Sequence, residues 1–282
     1  MLDLLTDPFA QGIGQRALAE SLVLGVVCGP LGVWVCLYRE SYAAESLAHA
    51  ALPGLVLASL AGLPLALGAG AGLLVAALAI ALAGRRSELM PDVAVAVAVT
   101  ALFGVGVLLA LSPEAPTRLG ELLFGDPLSV SRADLAASGL LALAVLAALA
   151  ASHRRLTLAG FDRQSAPNLG AVPATAELVL LVLLALTTLV AVQALGNLLV
   201  VALIVAPGAA ALQVASRLPV ALAISIVLGA GAGVGGLYLS HHVDLAAGAS
   251  IALVAVAIFA VASIAGSHRR AGAPAGPAQA VG

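Results

Sequence analysis

The sequence predicts an all-α, polytopic membrane protein of about nine, or eight to nine, transmembrane helices. Three observations carry that prediction. Hydrophobic residues make up 62% of the 282 positions and charged residues 9%, and the mean hydropathy is +1.14; such a composition cannot cover a folded chain with a water-soluble surface. Apolar windows of the roughly 20 residues needed to cross a hydrocarbon core of about 30 Å recur along the chain. A single segment in lipid can satisfy all its own backbone N–H and C=O groups only as a helix.

The first window, 17–38, holds Cys28 and Cys36, which lie about 12 Å apart on a straight helix and so cannot pair. Asp3 and Asp7 precede any arginine, and the apolar run is too long for a signal-peptide core, so no cleaved targeting segment is expected. The second window is 43–64; the third, 66–83, is short and rich in glycine. The fourth, 90–111, begins with Asp92-Val93-Ala94-Val95-Ala96-Val97-Ala98-Val99-Thr100, whose β-branched residues alternate as in a strand. The apolar run continues through Leu111, and an open strand has no place in lipid, so helix is predicted.

The fifth window is 134–151. The sixth, 175–195, and the seventh, 197–216, are divided only by Gly196, which is why the count can fall to eight. Pro207 removes a helical hydrogen bond and predicts a kink in the seventh, while Gln193 and Asn197 are polar groups in need of partners. The eighth, 219–240, contains Gly231-Ala232-Gly233-Val234-Gly235-Gly236, formally a dinucleotide-binding pattern but with no preceding strand or acidic partner. Close helix packing through the pairs Gly229/Gly233 and Gly231/Gly235 explains it better, and Gly68, Gly70 and Gly72 read the same way. The ninth window is 245–265.

Residues 1–266 thus form one transmembrane domain, and the Ala/Gly/Pro-rich segment 267–282 is expected to be a disordered tail. Arg39, Arg85, Arg86, Arg154, Arg155, Arg163, Arg217, Arg269 and Arg270 follow odd-numbered windows, whereas Arg16, Arg118 and Arg132 lie on the other side. The positive-inside rule then places the N-terminus outside and the tail in the cytoplasm. The segment 112–133 becomes an external loop and 152–175 an internal one, with room for a short helix along the membrane face. All 12 strongly basic residues are arginine, so the chain has neither a P-loop lysine nor a Schiff-base lysine. The formal charge of −2 gives no reason to expect nucleic acid as a partner.

Ionisable groups inside an apolar span are costly and tend to mark a pathway or a partner. Glu45 and His49 are such a pair, four residues apart and therefore stacked on one helix face, where they could share a cation or a proton. Carboxylate and imidazole suit zinc or manganese at about 2.0 to 2.2 Å, and two ligands alone leave a site weak enough to release its cargo. Capping of the second span is the simpler role available to them. His241, His242 and Asp244, between the eighth and ninth windows, could receive a cation at the outer mouth or form an ordinary solvated loop. His153 and His268 sit beside arginines and read as surface residues.

The run Cys28-Gly29-Pro30-Leu31-Gly32, then Arg39, Ser41, Glu45, His49, Pro53 and Gly54, resembles the permease subunits of the zinc/manganese/iron uptake family of ABC transporters. So do Leu123-Phe124-Gly125-Asp126 with Leu128-Ser129-Val130-Ser131, Phe161-Asp162 with Ala166 and Gly170, Gly196 through Leu198 to Pro207 and Ala211, and Ser240, Asp244, Gly248 and Ala249. The resemblance runs in order from about Arg16 to Gly266. It implies an importer permease similar in fold to cobalamin and siderophore importer permeases, with two copies forming one pathway. Its implied partners are a separate ATP-binding cassette ATPase and an extracytoplasmic metal-binding protein. The family's acid-and-histidine pair falls on Glu45 and His49. Its coupling helix falls on 161–170, which makes Phe161, Asp162, Gln164, Ala166 and Gly170 the candidate ATPase contacts. Glu45 departs from the family's usual aspartate, Gln164 stands where an acid is common, and Ala210 where threonine is common.

The expected protein is therefore a multi-pass permease of the cell membrane and not itself an enzyme. It holds no permanent cofactor and carries Zn2+, or next Mn2+, by alternating access. The alternative is a proton-coupled secondary transporter in which Glu45 and His49 carry the proton. A structural scaffold would leave the acid within the apolar span unexplained.

Overall fold

The computed structural model describes residues 12–86, 91–112, 130–195 and 199–271. Nine α-helices, and no strand, occur among these described residues: α1 (Gly12–Tyr38), α2 (Ser41–Leu60), α3 (Leu65–Arg86), α4 (Pro91–Ala110), α5 (Arg132–Phe161), α6 (Pro173–Leu195), α7 (Val200–Val214), α8 (Leu218–Val243) and α9 (Ala247–Ala271). Each overlaps one predicted window, and the alternating valines of α4 are helical. Only six, namely α1, α2, α5, α6, α8 and α9, hold a described stretch long and apolar enough to cross a membrane. The apolar stretches of α3, α4 and α7 are shorter: Leu67–Ala79, Val99–Ala110 and Val200–Val214. With 15 residues, α7 rises about 22 Å, short of the roughly 30 Å that a full span requires.

The internal loop expected over 152–175 is largely helix instead. Arg154 and Arg155 are good helix formers, and no proline interrupts the chain before Pro167, so α5 runs for 30 residues to Phe161. A capping box starts it: the Asp134 N–H donates to the Ser131 hydroxyl at 3.1 Å, and the Ser131 N–H donates to the Asp134 carboxylate at 3.0 Å. The far end is fastened to α1. The Tyr38 hydroxyl donates to the Leu156 carbonyl at 2.8 Å, and the His153 ring meets the buried Trp34 edge to face, with centroids 5.6 Å apart. His153 is therefore half-buried packing rather than the surface residue expected. The side chain of His268 lies outside the described set.

Helix α1 lies at the centre, packed against α5, α6, α7 and α8. Its contact with α8 is made through glycine: a Cβ on Gly25 would strike the Gly229 backbone, and one on Gly29 the Ser225 backbone. Gly233 lies against Ser21, so α1 and α8 run antiparallel. The predicted pair Gly229/Gly233 is thus an interface, whereas Gly231 faces open space and Gly235 meets only the Val254 side chain. Gly32 and Gly208 bring α7 equally close to α1, and Gly54 with Gly68 and Gly72 joins α2 to α3. Pro207 lies inside α7, a helix unbroken from Val200 to Val214.

Cys28 and Cys36 are both free. The tail expected to be disordered from residue 267 begins as the last turn of α9, and 272–282 fall outside the described residues. Residues 123–126, Gly196, Asn197 and the Gln193 side chain also lie outside them.

Candidate functional site

Only Arg39 and Glu40 separate α1 from α2, with Arg39 in the left-handed region at φ 61°. On its second turn Glu45 is exposed. With Ser41 and Tyr42 it lines one wall of a groove of about 430 Å³, whose other walls are Val201, Val205 and Ala209 of α7 and Val256 and Phe259 of α9. The walls on α7 and α9 are apolar, so Glu45 is the one carboxylate in the lining of that groove, and it alone there could balance the charge of an entering cation.

His49 lies one turn further along. Its ring packs edge to face on Phe103 of α4, with centroids 5.4 Å apart, and its Nδ1 is buried without a hydrogen-bond partner. The groove wall includes Glu45 but not His49, and no hydrogen bond or ion pair joins the two. Pro53 sits inside α2 one turn beyond His49 and removes the N–H that would otherwise satisfy the His49 carbonyl. Among the described residues no three His, Cys, Asp or Glu side chains gather into a metal-holding group. Among the described residues, then, no third such side chain joins Glu45 and His49.

His241 and His242 belong to the last turn of α8, not to a loop as expected, and Asp244 caps that helix in the left-handed region at φ 52°. The two imidazole centroids are 5.3 Å apart, and all three side chains are exposed. Because α8 runs antiparallel to α1, this cluster lies at the opposite end of the bundle from the start of α2.

A second polar feature carries no sequence expectation. Glu20 of α1 is 2% exposed and hydrogen-bonds to Ser138 of α5, while its Oε2 has no partner. An acid within an apolar window was the available signal.

At the end of α5, Phe161 is 65% exposed and Asp162 caps the helix. The Asp162 carboxylate accepts from the Ser165 N–H at 3.0 Å. That backbone hydrogen bond, with the Ser165 hydroxyl second, holds its carboxyl below the usual aspartate range. Arg163 pairs with Glu177 at 2.6 Å. The short helix expected in this segment is a single 3-10 turn, Ala166–Leu169, closed by Gly170 at φ 79°; Pro167 lacks the N–H to extend it toward Asp162. Ala166 is buried, and Gln164 and Gly170 are exposed. Leu169 and Val172 are further exposed apolar residues of this segment.

The family model described as the ABC 3 transport family matches residues 11–266. The manganese transport system membrane protein MntC of Halalkalibacterium halodurans is 35% identical over 249 residues, covering 88% of this chain and 85% of that one. The chelated iron transport system membrane protein YfeD of Yersinia pestis is 30% identical over 264 residues, covering 94% and 89%. Among solved structures, PsaBC from Streptococcus pneumoniae in complex with Fab superposes with a TM-score of 0.83 at 29% identity, covering 93% of this chain and 94% of that one.

Proposed function

We propose, on the premise that this chain belongs to the ABC 3 transport family and is the permease subunit of a metal-ion ABC importer, that its cargo is Mn2+ or Fe2+ and that Glu45 and His49 meet the ion on its way through. Zn2+, favoured on ligand chemistry alone, ranks behind them because relatives that are 30% or more identical across most of this chain are named for manganese and iron. The observation that carries the site is on α2. A carboxylate stands in a groove whose facing walls on α7 and α9 are apolar, with an imidazole one turn beyond it. A weak, incomplete pair of hard and borderline ligands can accept a divalent ion and let it go.

The pathway is completed by a second copy of this chain, so that the ion passes between two half-sites, and the carrier alternates between outward and inward access. An extracytoplasmic metal-binding protein supplies the ion, and a separate ATPase docks against Phe161 and the turn that follows. The chain lies in the cell membrane with its N-terminus outside and its C-terminus in the cytoplasm. A proton-coupled carrier with no ATPase is disfavoured by the family membership.

The test is uptake of radiolabelled Mn2+ in cells that lack their own high-affinity importers and express this chain with its ATPase and binding protein. Fe2+ and Zn2+ serve as competitors. Uptake should require ATPase activity and should be outcompeted by Fe2+ more readily than by Zn2+. Uptake that persists with an inactive ATPase, or that Zn2+ abolishes preferentially, would overturn the reading.

A further inference from the structure

We propose that Phe103 is a positioning residue of the ion site: its ring, and not a hydrogen bond, orients the His49 imidazole so that Nε2 alone is presented to the cargo. The inference rests on the reading of His49 as an ion ligand and extends it to α4.

Three observations support it. The two rings meet edge to face at 5.4 Å with an interplanar angle of 69°, the arrangement aromatic pairs prefer. His49 Nδ1 is buried without a partner, whereas a metal-ligating histidine ordinarily donates its second ring N–H to a carboxylate or carbonyl that fixes the ring and raises its basicity. Here Phe103 does the fixing. The backbone sets the register of the contact. One turn beyond each ring, a Cβ on Gly106 would lie 2.9 Å from the Pro53 nitrogen and 3.0 Å from its Cδ, so α4 and α2 touch there and hold Phe103 level with His49. The consequence for transport is a ligand that is aimed by packing alone, able to capture an ion and then release it.

The test is Mn2+ binding to the permease–ATPase complex in lipid nanodiscs, read from the electron paramagnetic resonance signal of free Mn2+. Phe103→Leu keeps an apolar side chain but removes the ring. It should weaken binding about two- to tenfold, the scale of one edge-to-face pair. Phe103→Tyr keeps the ring and should bind within about twofold of the parent. Gly106→Ala, which pushes α4 off α2 without touching Phe103, should weaken binding in the same direction. In a His49→Ala background neither Phe103→Leu nor Gly106→Ala should cause any further loss, since there is no ring left to position. An equal loss with and without His49 would reduce Phe103 to general packing and overturn the proposal. So would unchanged binding in Phe103→Leu alongside lowered binding in His49→Ala. If His49→Ala itself bound Mn2+ normally, the ion-site reading would fail first, and this arm separates that outcome from the others.

Discussion

Glu45 and His49 are the same distance apart on α2 as any pair with helical spacing, yet they meet different neighbours, the groove against α7 and α9 for one and Phe103 of α4 for the other. If both touch the ion, either loss disables the site. Glu45→Gln and His49→Ala should each cut Mn2+ uptake about tenfold or more, and the double variant should be no worse than the single ones. Glu45→Asp should keep measurable uptake, because it retains the charge; its failure in well-expressed protein would mean that the reach of the longer side chain is essential. Glu20 gives a stability test of a different kind. Ser138→Ala leaves a buried carboxyl without its partner and should destabilise the protein by about 1 to 3 kcal/mol, read as a lower thermal midpoint in nanodiscs. Glu20→Leu together with Ser138→Ala should cost less than Ser138→Ala alone, since the orphaned polar group is then gone. Glu45 and His49 stand out in the sequence as ionisable residues in an apolar run. Phe103 does not, because a phenylalanine in an apolar helix is indistinguishable from its neighbours until the partner ring is known.

At the scale of elements, the long α5 delivers Phe161 and the Asp162 turn beyond the body of the bundle as an exposed apolar tip with a rigid cap. Replacing Phe161 and Asp162 together with alanine should lower ATPase retention in pull-downs and uptake in cells while membrane insertion stays normal. Normal retention and uptake would remove this turn from the coupling surface. The turn should withstand mild acid. Asp162 has a lowered pKa in the fold, so its contribution is present above the usual aspartate value and is lost only as the pH falls through the lowered one. Membrane-length windows alone put the end of α5 near residue 151 and not at Phe161, since hydropathy marks where a helix leaves lipid and not where its hydrogen bonding stops. The signals for the true ends, Ser131 with Asp134 at the start and Pro167 after the stop, are local and were present in the sequence.

At the scale of the whole molecule, the α1–α8 contact makes glycines that look alike unequal. Gly229→Ala should lower the yield of folded protein, because its Cβ would strike the Gly25 backbone, whereas Gly231→Ala faces open space and should be tolerated. Equal behaviour of the two in detergent-solubilised yield would contradict this packing. Orientation is tested independently by a cysteine at Ser165 in a chain whose Cys28 and Cys36 are replaced. It should resist a membrane-impermeant thiol reagent in intact cells, and rapid labelling would reverse the topology. Composition, window length and the need to satisfy backbone groups in lipid were enough to determine an all-helical membrane protein and the order of the helices among its described residues, because those constraints act within each segment. Which face of each helix meets which neighbour was decided only by tertiary packing. Glycine pairs set how closely two backbones can approach, and a shift of one residue turns a helix by about 100°, enough to exchange a wall of the Glu45 groove for a lipid-facing surface.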